Sequence, residues 1–310
     1  MMDWTRRAIA GAGLGLAAAP AFGQTPPDTP PEVPQDFAVD AIRRGLLTAS
    51  VMINGSGPYA FAVDSAANAS VIASDLAALL SLPPAGDVGM HTLIAREVVK
   101  TVRVGRLQSG ALDVAEPRLA VASRVGMGGL DGILGVDLLR DLRLDLAFRG
   151  VRRIRVSRSH RTPGGYLDGP RPSARMVRAT EQRFGGLLMI EARLNGESAL
   201  AIIDTGALVS IANSALARVA GAQPIVLGDR GANRVLSPTG LSADATLMIV
   251  PNLQFAGVTL IRTPVLVGDF HTFDVWGLSD TPALLMGVDL LGQFESVAID
   301  LGRGEVLFEL

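Results

Sequence analysis

The chain has no cysteine among its 310 residues. That excludes a cysteine nucleophile, a disulfide framework, a thiolate metal site and a lipid-modified N-terminal cysteine. Histidine is nearly as scarce. The three present, His91, His160 and His271, have no ligand-like spacing, so neither a metal site nor a cofactor is expected. Aromatic residues are only 5% of the chain, which leaves Val, Leu, Ile and Ala to fill the core. A formal net charge of −2 lacks the basic excess that a nucleic-acid binder carries, and no such partner is expected. Long regular helical patterns are also few. Most apolar runs are short and punctuated by Gly, Pro, Asn or Asp, the signature of β-structure.

What is present is an echo. Phe61-Ala62-Val63-Asp64-Ser65-Ala66 and Ala201-Ile202-Ile203-Asp204-Thr205-Gly206 are apolar runs ending in Asp, a hydroxyl residue and a small residue. The two aspartates are 140 residues apart, about the length of one small domain. Upstream of each lies an apolar run ending in Asn-Gly, at Asn54-Gly55 and Asn195-Gly196. Asn-Gly between apolar runs predicts a two-residue hairpin turn. Downstream, Gly132-Ile133-Leu134-Gly135-Val136-Asp137 matches Leu284-Leu285-Met286-Gly287-Val288-Asp289. Each copy then closes on a hairpin-like stretch, residues 144–150 and 299–304. Four features in the same order make a duplicated domain. A chain that presents one carboxylate loop twice can bring two carboxylates together across a pseudo-twofold interface. There they share a proton, because two adjacent carboxyls do not both ionise cheaply.

In these motifs the chain resembles the aspartic proteases, in a single-chain, two-lobed form close to the bacterial retropepsin-like group. The resemblance covers about residues 41–310. It implies an all-β fold of two pepsin/retropepsin-like β-barrel lobes related by internal duplication, with the active site in the cleft between them. It implies peptide-bond hydrolysis by a water activated between Asp64 and Asp204, with Ser65, Ala66, Thr205 and Gly206 supporting the two loops. A polypeptide is the implied substrate, laid as a strand in the cleft. Flaps are expected near His91, Ala95 and Arg96 in the first lobe and at Ser237, Pro238, Thr239 and Gly240 in the second. Ala66 departs from the family pattern, which has Gly there; Ala is strained at that position only if φ is positive. Two alternatives stay open: a peptide-binding protein of the same fold whose first loop is impaired, and an enzyme active only as a second-lobe homodimer.

Asp137 and Asp289 read as caps of short helices, and Asp145 and Asp300 as structural. Helices are expected over 69–80 and 214–220. The arginines at 149, 152, 153, 155, 158 and 161 read as a solvated strand edge. Phe273 and Trp276, in a loop, fit either a pocket wall or the core. Arg6-Arg7 followed by an apolar run to Phe22 predicts a secretory signal over 1–23, with export to the periplasm or medium by the Sec or twin-arginine route. No stable membrane span is expected once it is removed, and the protein should be a monomer. A Pro-rich tether over 24–37, a first lobe over 38–157, a linker over 158–180 and a second lobe over 181–310 complete the expected organisation.

Overall fold

The computed structural model describes residues 45–149, 153–159, 174–179, 181–183, 186–225 and 233–310. The expected signal and tether, and most of the expected linker, lie outside the described residues. Those residues form three sheets: one large sheet for each copy of the repeat and a five-stranded sheet shared by both.

The two large sheets have the same centre. In the first, the strands run in the order Arg118–Ala122, Val71–Ala73, Gly132–Leu134, Ser56–Val63, Thr48–Ile53. In the second the order is Val258–Val267, Ile211–Ala212, Ala283–Met286, Glu197–Ile203, Leu187–Leu194. Strand sense also corresponds. Ser56–Val63 pairs in parallel with Gly132–Leu134, and Glu197–Ile203 in parallel with Ala283–Met286. The flanking pairs are antiparallel in both. Gly132–Leu134 and Ala283–Met286 are buried throughout, and Ser56–Val63 and Glu197–Ile203 are buried toward the ends that lead into the Asp loops, which explains the apolar runs there. The Asn-Gly turns form as the sequence predicts. Asn54 and Gly55 have φ of 51° and 81°, and Asn195 and Gly196 have 53° and 90°. Two consecutive left-handed residues are what a type I′ hairpin needs.

The shared sheet joins the lobes. Leu142–Ala147 pairs along its length with Ser296–Asp300, so the hairpin closing one repeat is zipped to the hairpin closing the other. Arg153–Arg158 is one edge of this sheet and Ala174–Arg178, from the stretch expected as linker, is the other. Arg155 on that edge pairs with Asp145. Asp300 accepts hydrogen bonds from the Ser159 hydroxyl and the Arg303 amide. Phe294 and Phe308 pack with ring centroids 4.8 Å apart, and Phe255 meets both. Three of the chain's few phenylalanines thus gather where second-lobe sheet and shared sheet meet.

Three expectations need correction. The helix after the first Asp loop covers Ser74–Leu79 only, because Val71–Ala73 is a buried strand held between Arg118–Ala122 and Gly132–Leu134. The β-branched pair Val71-Ile72 favours that placement. The second helix, Ser214–Ala220, has the expected limits: Asn213 accepts from the Leu216 amide, and Gly221 ends it at φ 62°. Asp137 and Asp289 are not N-caps; Gly135 and Gly287 hold that place. Phe273 and Trp276 belong to a short helix, His271–Val275, and its C-terminal residue rather than to a loop. Among the described residues no helix is long and apolar enough to cross a membrane.

Candidate active site

Each Asp loop follows the inner strand of its lobe. The Asp64 amide donates to the Leu134 carbonyl at 2.9 Å, and the Asp204 amide to the Met286 carbonyl at 3.0 Å. The apolar-apolar-Gly strand of each repeat is therefore what holds its aspartate in place. Its glycine is required by close approach. A Cβ on Gly135 would lie 2.7 Å from the Ala67 carbonyl oxygen, and one on Gly287 2.8 Å from that of Ala207. Ser70 and Ser210 reinforce the joint. Each donates its hydroxyl to a carboxylate, Ser70 to Asp137 and Ser210 to Asp289, and each accepts from the following glycine, Gly135 or Gly287. The repeated aspartates 137 and 289 thus brace the loops. Burial pushes the Asp289 carboxyl up to about 6, against the opposing pull of its hydrogen bonds from Ser210.

The loops grip one another across the interface. The Ser65 amide donates to the Thr205 hydroxyl at 3.0 Å, and the Thr205 amide to the Ser65 hydroxyl at 3.2 Å. Each hydroxyl also donates to the opposite inner strand: Ser65 to the Ile203 carbonyl at 2.7 Å, Thr205 to the Val63 carbonyl at 2.6 Å. Both side chains are fully buried, so each polar group needs these partners; an intramolecular bond contributes about 1 kcal/mol net.

The carboxyls sit above this grip. One Asp64 oxygen accepts from the amides of Ala66 and Ala67, and one Asp204 oxygen from those of Gly206 and Ala207, all between 2.8 and 3.0 Å. The outer part of Asp64 leans over Gly206: a Cβ there would lie 2.2 Å from an Asp64 carboxyl oxygen. Asp64 is half-buried and Asp204 is only 8% exposed. Burial is the main cause that raises both, opposed by the backbone donors. Asp64 rises to about 6, and the nearby charge of Asp64 lifts Asp204 further. The pair therefore holds a proton into the mildly acidic range. Neither Ala66 nor Gly206 adopts a positive φ. The departure at Ala66 thus carries no backbone strain.

The aspartates floor a cavity of about 410 Å³. Its walls are mainly apolar and include Ile133, Val209, Ile211, Leu266 and Trp276, while Phe273 lies in the core. Its roof is the hairpin of Pro84–His91 with Arg96–Arg103, from which Met90, His91, Thr92 and Leu93 face the cavity. Ala95 and Arg96 lie past the turn of that hairpin and outside the lining. The topological counterpart is the hairpin of Asn233–Leu236 with the start of Ser242–Phe255. Of its turn, Pro238 lines the cavity; Ser237, Thr239 and Gly240 shape the turn itself. Thr239 reaches across to donate to the Glu97 carboxylate of the first hairpin. Tyr59 sits partly buried against the core away from the flaps, and Tyr166 lies outside the described residues. Among the described residues no cluster of three or more His, Asp or Glu suits a metal.

Sequence reading missed Ser70 and Ser210, although they too are repeat equivalents 140 residues apart. It also missed the pairing of His91 with His271. No local signal carries that contact, because the residues are 180 positions apart on different lobes.

Comparison with known proteins agrees with this geometry. Residues 49–138 match a family model described as "Aspartyl protease". The aspartic proteinase from Irpex lacteus is a similar structure, with a TM-score of 0.52 at 14% identity, over 84% of this chain and 93% of that one. At that identity the likeness is one of fold. Comparison with curated proteins finds no match. The chain is thus a two-lobed protein with the fold of a pepsin-like aspartic proteinase, and its first-lobe segment 49–138 carries the aspartyl protease family pattern.

Proposed function

We propose that the protein is an aspartic endopeptidase whose catalytic pair is Asp64 and Asp204. One observation carries this reading: the reciprocal Ser65–Thr205 grip locks the two Asp loops together at the floor of a roofed cleft, with Asp64 against Gly206. A water held by the pair gives a proton to the ionised carboxylate while its oxygen attacks the scissile carbonyl carbon. The protonated carboxyl gives its proton to the carbonyl oxygen, and a gem-diol forms. Collapse then moves a proton to the amide nitrogen, the C–N bond breaks and acid and amine leave. Raised carboxyls suit this chemistry, because the pair keeps one proton while the other carboxyl acts as base.

The grip runs within one chain, which favours a single-chain dyad over a second-lobe homodimer. Unstrained backbone at Ala66 favours an intact first loop over an impaired, merely peptide-binding one. Export rests on residues 1–23 alone. The test is cleavage of a diverse peptide library from pH 4 to 7, read by mass spectrometry. We expect cleavage that a statine-containing peptide blocks, since its hydroxyl mimics the tetrahedral intermediate, and that chelators leave unchanged. Peptide binding without any cleavage by the wild-type protein overturns the reading in favour of the binding protein.

A further inference from the structure

The roof of the cleft is fastened to the opposite lobe. His91, at the end of the Pro84–His91 strand, meets His271, the first residue of the second-lobe helix His271–Val275, ring edge to ring edge. The ring centroids are 5.2 Å apart with an interplanar angle of 11°. The His91 Nδ1 and His271 Nε2 atoms are 2.9 Å apart, hydrogen-bond distance. Two further contacts lie near. The Thr272 amide donates to the Leu93 carbonyl at 3.3 Å, and Thr239 donates to Glu97. His91, Leu93 and Thr272 all border the cavity, so this fastening bridges the two lobes at its edge.

We infer that the His91–His271 pair is a proton-operated latch on the cleft, closed when the two imidazoles together carry at most one positive charge and released when both are protonated. The chemistry is that of the nitrogen-to-nitrogen bond. One ring must donate an N–H and the other must accept with a lone pair. A neutral pair does this with one tautomer, and a singly protonated pair does it more strongly. A second proton removes the acceptor and sets two cationic ring edges against each other at the same nitrogen-to-nitrogen contact. The closed state thus binds at most one proton where the open state binds up to two. Closure is therefore lost once pH falls far enough to charge both rings.

Among the described residues neither imidazole is hydrogen-bonded to or ion-paired with a carboxylate. Arg96 is the cross-strand partner of His91, and its guanidinium lies against Gly89 on the same strand as His91. Glu97 is engaged by Thr239. Near His271, Asp269 accepts from the Ser214 amide and Asp274 from the Ser279 hydroxyl. Asp64 and Asp204 lie on the floor of the same cavity and themselves take up protons in acid. The pair is near the surface, so the latch is weak enough for its protonation to decide the balance.

The inference concerns opening of the cleft and does not require that the protein cleave anything. The experiment is hydrogen–deuterium exchange of the full chain at pH 5 and pH 8, corrected for the intrinsic pH dependence of exchange. Peptides spanning Pro84–Arg103 report the roof, and peptides spanning Ser296–Glu309 report the shared sheet. For a net uptake of one proton, we expect roof protection about tenfold or more lower at pH 5, with the shared sheet unchanged. In His91→Gln and His271→Gln the roof should differ by no more than about twofold between the two pH values, since one imidazole cannot repel itself. Equal roof protection at both pH values in the wild type overturns the latch. So does a pH effect that persists in both variants, or one that the shared sheet follows to the same extent.

Discussion

The two lobes share a strand plan, yet their Asp loops are not interchangeable. Strand order, strand sense and the serine–aspartate brace correspond across the repeat. Even an unforeseen feature recurs. Glu116, in the bend just before Arg118–Ala122, and Arg262, within Val258–Val267, both have φ of 52° at corresponding positions of the repeat. The loops differ at the small residue. Gly206 has no room for a Cβ because the Asp64 carboxyl occupies that space, whereas Ala66 carries a Cβ in the matching position of the other loop. Asp204 therefore does not rest on Ala66 as Asp64 rests on Gly206. The lesson is that the glycine of an Asp-Thr-Gly loop here serves the opposite lobe's carboxyl, not its own backbone.

The largest expected effect tests what the lobes have in common. Asp64→Asn and Asp204→Asn should each lower peptide cleavage by about 10²- to 10⁴-fold or more, because acid and base come from one carboxyl each. Circular dichroism should remain that of the wild type. Activity that survives Asp64→Asn but not Asp204→Asn would point to the second-lobe dimer. Gly206→Ala breaks the asymmetry directly. Its Cβ must push the Asp64 carboxyl aside, and a displacement on the order of 1 Å lowers turnover by about 10²-fold. The checking measurement is kcat alongside KM, because Gly206 itself lines the cavity.

Removing one half of the grip comes next. Ser65→Ala and Thr205→Ala should each cost about 1–3 kcal/mol in urea unfolding, because buried amide and carbonyl partners lose their bonds. A near-zero cost at either position would show that the grip does not hold the loops. A smaller effect concerns pH. Asp289 holds its proton to about 6 when folded and to an ordinary carboxyl value when unfolded. The folded state then binds more protons between about pH 4 and 6, so stability falls as pH rises through that window. Asp289→Asn should remove part of that fall in melting temperatures measured from pH 4 to 7, and an unchanged slope counts against it. The smallest effect is expected for Ala66→Gly. Since Ala66 has no positive φ, the change should lower stability by about 0.4–1 kcal/mol through chain entropy and leave turnover within about threefold. Activity created from an inactive parent would instead show that Ala66 had disabled the first loop.

The repeat was legible because its parts are local. Each Asp loop, Asn-Gly turn and apolar-apolar-Gly strand is a short word whose conformation follows from neighbouring residues, and two copies in one order reinforce each other. The second-lobe helix was legible for the same reason, with Asn213 and Gly221 marking its ends. The first helix is shorter than its apolar pattern suggests, because Val71–Ala73 is claimed as a strand by the two strands flanking it. Asp137 and Asp289 read as helix caps in the sequence because the residues they hold, Ser70 and Ser210, are far away in sequence.

A duplicated β-protein, the hydroxyl-bearing Asp loops and the glycines beside them are written in short stretches of chain, because periodicity and turn chemistry act over a few residues. Packing of the lobes is what gives the space at Gly206 to Asp64, lets Ser65 and Thr205 exchange bonds, and brings His91 to His271. These contacts join residues 140 or more positions apart. Their distances follow from how two lobes pack on one shared sheet, and no local preference encodes that packing.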